Sequence, residues 1–280
     1  MLFLSLAIIC SSSLAIILKY GSVKKTNIIL LINGNYVTAA TLALVFILVN
    51  EGFHFSLNAT LFAAALGILF AETFVIYSKA ISLAGTALAT VSARLSVLIP
   101  VLFSIIFFDE KPNLQMLIGF LLALVTLYFF YLSLKKHRST SNSAAKYFYL
   151  LLILFGMGAV DFSMKVFERN FPLIEKGTFV FLIFLFAFIY TSAQLFIKKI
   201  SFDKETYKLG LFLGLPNVLV VHFLLAALSE LPAIVVFPIQ NIGVVVLTAL
   251  LAFIIWKEKI NLYGRIALII GIAAIIMLKL

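Results

Sequence analysis

Residues 91–100 read VSARLSVLIP, and they set Arg94 near the middle of an otherwise apolar run that extends from about residue 86 to residue 108. A guanidinium stays charged even when buried, and a charge at the centre of a bilayer costs roughly 2.5–3.5 kcal/mol on insertion scales. What surrounds the run decides what the arginine means. Of the 280 residues 64% are hydrophobic and 11% charged, far outside the range of soluble domains. Apolar runs of nearly twenty residues follow one another along the chain, each able to cross a hydrocarbon core of about 30 Å at a rise of about 1.5 Å per residue. The sequence predicts an all-α integral membrane protein, with no room for a soluble catalytic or nucleotide-binding domain.

Ten segments are expected, at about 2–19, 28–49, 58–79, 86–108, 114–134, 147–167, 177–197, 208–229, 233–255 and 262–279. The links between the third and fourth and between the eighth and ninth are so short that each pair must form a tight hairpin. An internal repeat is visible as well. The stretch 110-EKPNL-114 recurs as 258-EKINL-262, displaced by 148 residues, and Lys19 matches Lys165 at nearly the same displacement. Five segments separate equivalent positions, and an odd number inverts the second copy in the membrane. The expectation is two inverted five-helix repeats, residues 1–138 and 139–280, forming one membrane domain.

The 21 Lys and Arg against 11 Asp and Glu gather at segment ends, as in 19-KYGSVKK-25 and 135-KKHR-138, a topology signal instead of a nucleic-acid footprint. About fifteen lie near odd-numbered connections, which by the positive-inside rule places both ends of the chain outside the cytoplasm. A single cysteine, Cys10, excludes an internal disulfide and a cysteine zinc cluster. No metal, cofactor or catalytic residue is expected. The first segment has no cation before it and reads as a retained helix, not a cleaved leader.

The five-plus-five layout, the proline and acidic-basic end of 96-SVLIPVLFSIIFFDEK-111, and 235-VVFPIQNIGVVVLTALLAFIIWKEK-259 resemble the drug/metabolite transporter superfamily, within it the ten-helix bacterial EamA-like transporters. The resemblance spans essentially the whole chain and implies a multi-pass protein of the bacterial inner membrane. It also implies a central cavity lined by helices one to four and six to nine, with five and ten at the periphery. Relatives of this kind have both termini in the cytoplasm, opposite to the charge count.

Four ionisable residues lie away from segment ends: Glu72, Arg94, Asp161 and His222. Arg94 offers a planar fork of donors to a carboxylate or phosphate and shares a helical face with Thr90 and Thr86. With one residue of slippage it maps onto Asn241, beside Gln240, so the repeat sets Arg94 and Asn241 at matching places across a central cavity. The alternative is a structural ion pair between Arg94 and Glu72. Glu72 is otherwise a carrier for a coupling proton. Asp161, four residues before Lys165, is expected to bridge to it, with a coupling role as the alternative, and His222 either serves a proton relay or hydrogen-bonds a neighbouring helix. In 33-NGNY-36, Asn35 and Tyr36 either line the cavity or hydrogen-bond neighbouring helices, and Tyr77 is a cavity residue or an interfacial anchor. Pro100 and Pro238 are expected to bend their helices and serve as hinges.

The expected function is secondary active transport of a small polar, anionic or zwitterionic metabolite by alternating access, with possible proton coupling, as a monomer or homodimer. A membrane-embedded enzyme or lipid-phosphate-handling protein is the alternative, although HExxH, GxSxG and Walker motifs are absent from the sequence.

Overall fold

The structure is a computed structural model that describes residues 1–23, 26–54, 56–134, 144–256 and 261–279. The cationic stretches at 24–25 and 135–138, the 138/139 boundary and residues 258–260 of the second EKxNL copy lie outside the described residues, as do the side chains of Lys19 and Thr86. The helices are α1 (Leu2–Val23), α2 (Ile28–Phe46), α3 (Leu57–Ala84), α4 (Thr86–Leu95), α5 (Leu98–Phe108), α6 (Leu114–Leu134), α7 (Ala144–Asn170), α8 (Lys176–Ile197), α9 (Lys204–Leu228), α10 (Ala233–Trp256) and α11 (Leu262–Lys279). Helices α4 and α5 are one span with a break, so the described residues make ten segments. Eight are long and apolar enough to cross a membrane, and the apolar stretches of α1 and α11 are shorter, Leu2–Ile17 and Leu262–Leu278.

Local chemistry sets the ends. Asn27 and Ser56 cap α2 and α3 by accepting from backbone N–H groups of the first turn, and Asp203 does the same for α9 through Thr206 N. Gly85, at φ +82°, is the whole link between α3 and α4. The break between α4 and α5 follows from Pro100, which has no N–H to give the carbonyl of Ser96. The chain shifts there to shorter-range bonds, Val97 N to Arg94 O at 3.3 Å and Ile99 N to Ser96 O at 3.0 Å. Pro238 has no such effect, and α10 is continuous through it.

The packing pairs fall into matching sets. Helix α2 lies along α9 and α3 along α8; α1 lies against α9 and α10, and α7 against α3, α4 and α5. Helices α2 and α8 pack on each other, and so do α6 and α11, the fifth and tenth segments. The crossings agree at the level of single atoms. A Cβ on Gly67 would lie 2.5 Å from Ile183 O and 3.1 Å from Ala187 N, and one on Gly214 would lie 2.5 Å from Asn35 O and 3.0 Å from Ala39 N. The glycines are 147 positions apart and their neighbours 148. Only glycine permits either backbone contact, and close approach of this kind holds helices together where lipid supplies no hydrophobic drive.

Short connections make successive segments antiparallel, so residues 109–113, 171–175 and 229–232 share one face, here the near face. Four rings, Phe62, Phe167, Phe171 and Phe179, stack between α3, α7 and α8 toward that face, with Phe167 and Phe179 centroids 3.7 Å apart.

Candidate functional site

Arg94 occupies the last turn of α4, immediately before the break. Its Nη1 donates to Asn241 Oδ1 on α10 at 3.2 Å, so the two residues that the sequence set across a cavity are in direct contact. Asn241 is 7% exposed, and its Nδ2 donates to Phe237 O on its own helix, which fixes the amide with its oxygen toward the arginine. Tyr77 on α3 and Thr90 on α4 share a hydrogen bond of 3.0 Å, and both Tyr77 and Asp161 on α7 act electrostatically on the Arg94 charge. Gln240 is half-buried beside Asn241. The first half therefore supplies a cation, a phenol and a hydroxyl, and the second half supplies an amide and a carboxylate. A guanidinium with one neutral acceptor keeps most of its donors for another acceptor, and a carboxylate or phosphate suits that fork.

Glu72 is not the partner of Arg94. It accepts from the Tyr190 hydroxyl and from Gln194 Nε2, the latter at 2.7 Å, both on α8. Five residues of helix turn Glu72 about 140° away from Tyr77, so one faces α8 while the other faces α4. The Gln194 carbonyl accepts from Lys198 Nζ at 3.1 Å, so a polar line runs from Glu72 toward the end of α8.

Lys165 does not bridge to Asp161 either. Its Nζ is 3.3 Å from Glu110 Oε1 and 2.8 Å from Glu168 Oε2, while Asp161 lies toward Arg94. Two carboxylates near the membrane face outcompete the one at depth. His222 on α9 packs edge-on against Phe46 at 4.9 Å and feels the charge of Lys176. That places it toward the near face, away from Arg94.

Asn35 and Tyr36 sit in tight packing between helices. Asn35 Oδ1 accepts from Asn217 Nδ2 at 3.1 Å, and Asn33 donates to Thr191 Oγ1 at 3.1 Å and Ser192 Oγ at 2.8 Å. Tyr36 is fully buried between Phe70 and Phe184, and among the described residues neither its hydroxyl nor Asn35 Nδ2 has a hydrogen-bond partner. A cleft of about 400 Å³ lies beside Thr26, Asp203 and Lys208, and another of about 280 Å³ beside Glu110, Lys165 and Pro232; neither includes Arg94.

Sequence reasoning missed Tyr190, Gln194 and Asn217. Tyr190, Gln194 and Lys198 recur every four residues in an apolar helix, a polar stripe that was open to recognition. Asn217 has no such signal.

Residues 144–280 match the EamA-like transporter family. A Haemophilus influenzae protein described as uncharacterized is 28% identical over 286 aligned residues, covering 97% of this chain and 95% of its own. A protein of known crystal structure superposes with a TM-score of 0.83 at 17% identity, covering 100% of this chain and 97% of that one, which shows a shared fold. With ten helical segments among its described residues and a second half that matches the EamA-like transporter family, the chain is a multi-pass membrane protein similar to that family.

Proposed function

We propose that the chain is a secondary active transporter of the bacterial inner membrane that carries a small anionic or zwitterionic metabolite, an amino acid, organic acid or phosphorylated metabolite, between Arg94 and Asn241. The observation that carries this reading is the bond from Arg94 Nη1 to Asn241 Oδ1 at 3.2 Å. It joins the two spans that must part for a solute to pass, and it employs an acceptor weak enough for a charged solute to displace. Asp161, acting on the same charge, favours a solute that also bears a cationic group.

Two inverted five-helix repeats, 1–138 and 139–280, are the proposed origin of the site. The matched Gly67 and Gly214 crossings and the 147-residue separation of Arg94 and Asn241 support that origin. Pro100, next to the α4–α5 break, is the favoured hinge, and Pro238 in its continuous helix is the weaker one. Glu72, held by Tyr190 and Gln194, is the leading candidate for proton coupling.

Thermal-shift measurements on purified protein with amino acids, organic acids, sugar phosphates and nucleosides test the substrate class. Stabilisation confined to anionic or zwitterionic compounds is expected. Stabilisation by uncharged nucleosides alone would overturn the assignment.

A further inference from the structure

The partly buried contacts of Glu110 play no part in holding a solute at Arg94, yet they join the same two spans. Glu110 follows α5, the outer part of the Arg94 span, and its carboxylate accepts from Ala233 N at 2.9 Å and Ile234 N at 3.4 Å at the start of α10, the Asn241 span. We propose that Glu110 is the latch of a gate on the near face, closed in this structure, that holds α5 to α10 until the site opens on that side. The inference rests on the alternating-access reading. The spans are tied twice, at mid-depth by Arg94 and Asn241 and at the near face by Glu110, and eight residues of α10, about 12 Å of helix, separate the ties.

The chemistry suits a contact that must both hold and release. Free N–H groups at a helix start need acceptors, and a carboxylate meets both that need and the positive end of the helix dipole. Lys165, only 7% exposed, adds its charge at 3.3 Å. Lys165 also pairs with Glu168 on its own helix at 2.8 Å, so it keeps a partner when Glu110 leaves. The departing carboxylate has water to enter, because the cleft of about 280 Å³ is lined by Glu110 together with Arg169, Ser229 and Glu230. Release strands neither charge, which distinguishes a reversible latch from a permanent brace. The stacked Phe62, Phe167, Phe171 and Phe179 fill the neighbouring space between α3, α7 and α8, so that the same face is closed beside the latch by apolar packing.

The test needs no substrate. Ser104 lies in α5 between Arg94 and Glu110, fully buried and with no partner for its hydroxyl among the described residues, so Ser104→Cys in a Cys10→Ser background places a reporter thiol beneath the latch. The full chain in lipid nanodiscs is treated with a membrane-impermeant maleimide. Glu110→Ala and Lys165→Met are each expected to raise the alkylation rate at position 104 about fivefold or more over the parent, as the closed population falls. Rates equal to the parent in both variants, each showing cooperative thermal unfolding, would overturn the latch. Should Glu110→Ala fail to fold, Lys165→Met decides alone. Because the readout is accessibility, a failed latch is distinguishable from failed transport, which counterflow measures separately.

Discussion

Arg94 and Asn241 are 147 positions apart and hydrogen-bonded at 3.2 Å, and the same displacement separates Gly67 from Gly214, the two glycines at the tightest matched helix crossings. One register thus relates the backbone crossings and the polar pair at mid-depth. A site built this way has a neutral amide where a solute carboxylate would sit, and that detail yields the first prediction.

Asn241→Asp should set a permanent carboxylate against the guanidinium and compete with an anionic solute. Apparent affinity for such a solute should fall about tenfold or more, equivalent to about 1.4 kcal/mol, without loss of membrane insertion. The concentration dependence of uptake checks this, and an unchanged half-saturation would take Asn241 out of the site.

Gly67→Ala and Gly214→Ala should each destabilise the fold by about 1–3 kcal/mol, since the added methyl meets backbone that cannot move aside. Gly243→Ala should matter less, because the nearest atoms there all belong to the side chain of Ile8, its terminal Cδ1 first. Thermal unfolding of the three variants in one detergent compares them directly. Equal losses would refute the distinction between backbone and side-chain contact.

If Glu72 carries the coupling proton, Glu72→Gln should leave substrate exchange intact while making net transport indifferent to a proton gradient. Tyr190→Phe removes one of its two donors and should shift the gradient dependence without abolishing it. Unaltered gradient dependence in Glu72→Gln assigns coupling elsewhere.

His222→Phe should retain transport and lose under about 1 kcal/mol of stability, because the imidazole packs edge-on against Phe46 as an aromatic ring. Loss of transport with normal folding would restore His222 to a relay.

The ten segments were legible because a hydrocarbon core imposes one length and one composition. The ends were less so: α3 runs to Ala84 and α7 spans Ala144–Asn170, past their apolar windows, since a helix continues until a cap or Gly85 stops it. The repeat register pointed to Asn241 as the counterpart of Arg94, but not to the bond between them, since the sequence offered Glu72 as the direct partner. The partners of Glu72 and Lys165 were not legible. Local spacing pointed from Asp161 to Lys165, but tertiary packing brought Glu110 from 55 positions away. A polar group at depth takes whichever partner the helix packing presents, and which helices pack together is settled by crossings such as Gly67 on Ile183, whose meaning emerges only in three dimensions.

Counterflow in proteoliposomes tests the role of Arg94 most directly, using labelled amino acids, organic acids and sugar phosphates with the wild-type chain, Arg94→Lys and Arg94→Ala. The expected result is saturable exchange of an anionic or zwitterionic compound by the wild type, partial exchange by the lysine variant and a loss of about a hundredfold in the alanine variant, all three equally inserted. Exchange by Arg94→Ala at the wild-type rate would contradict it.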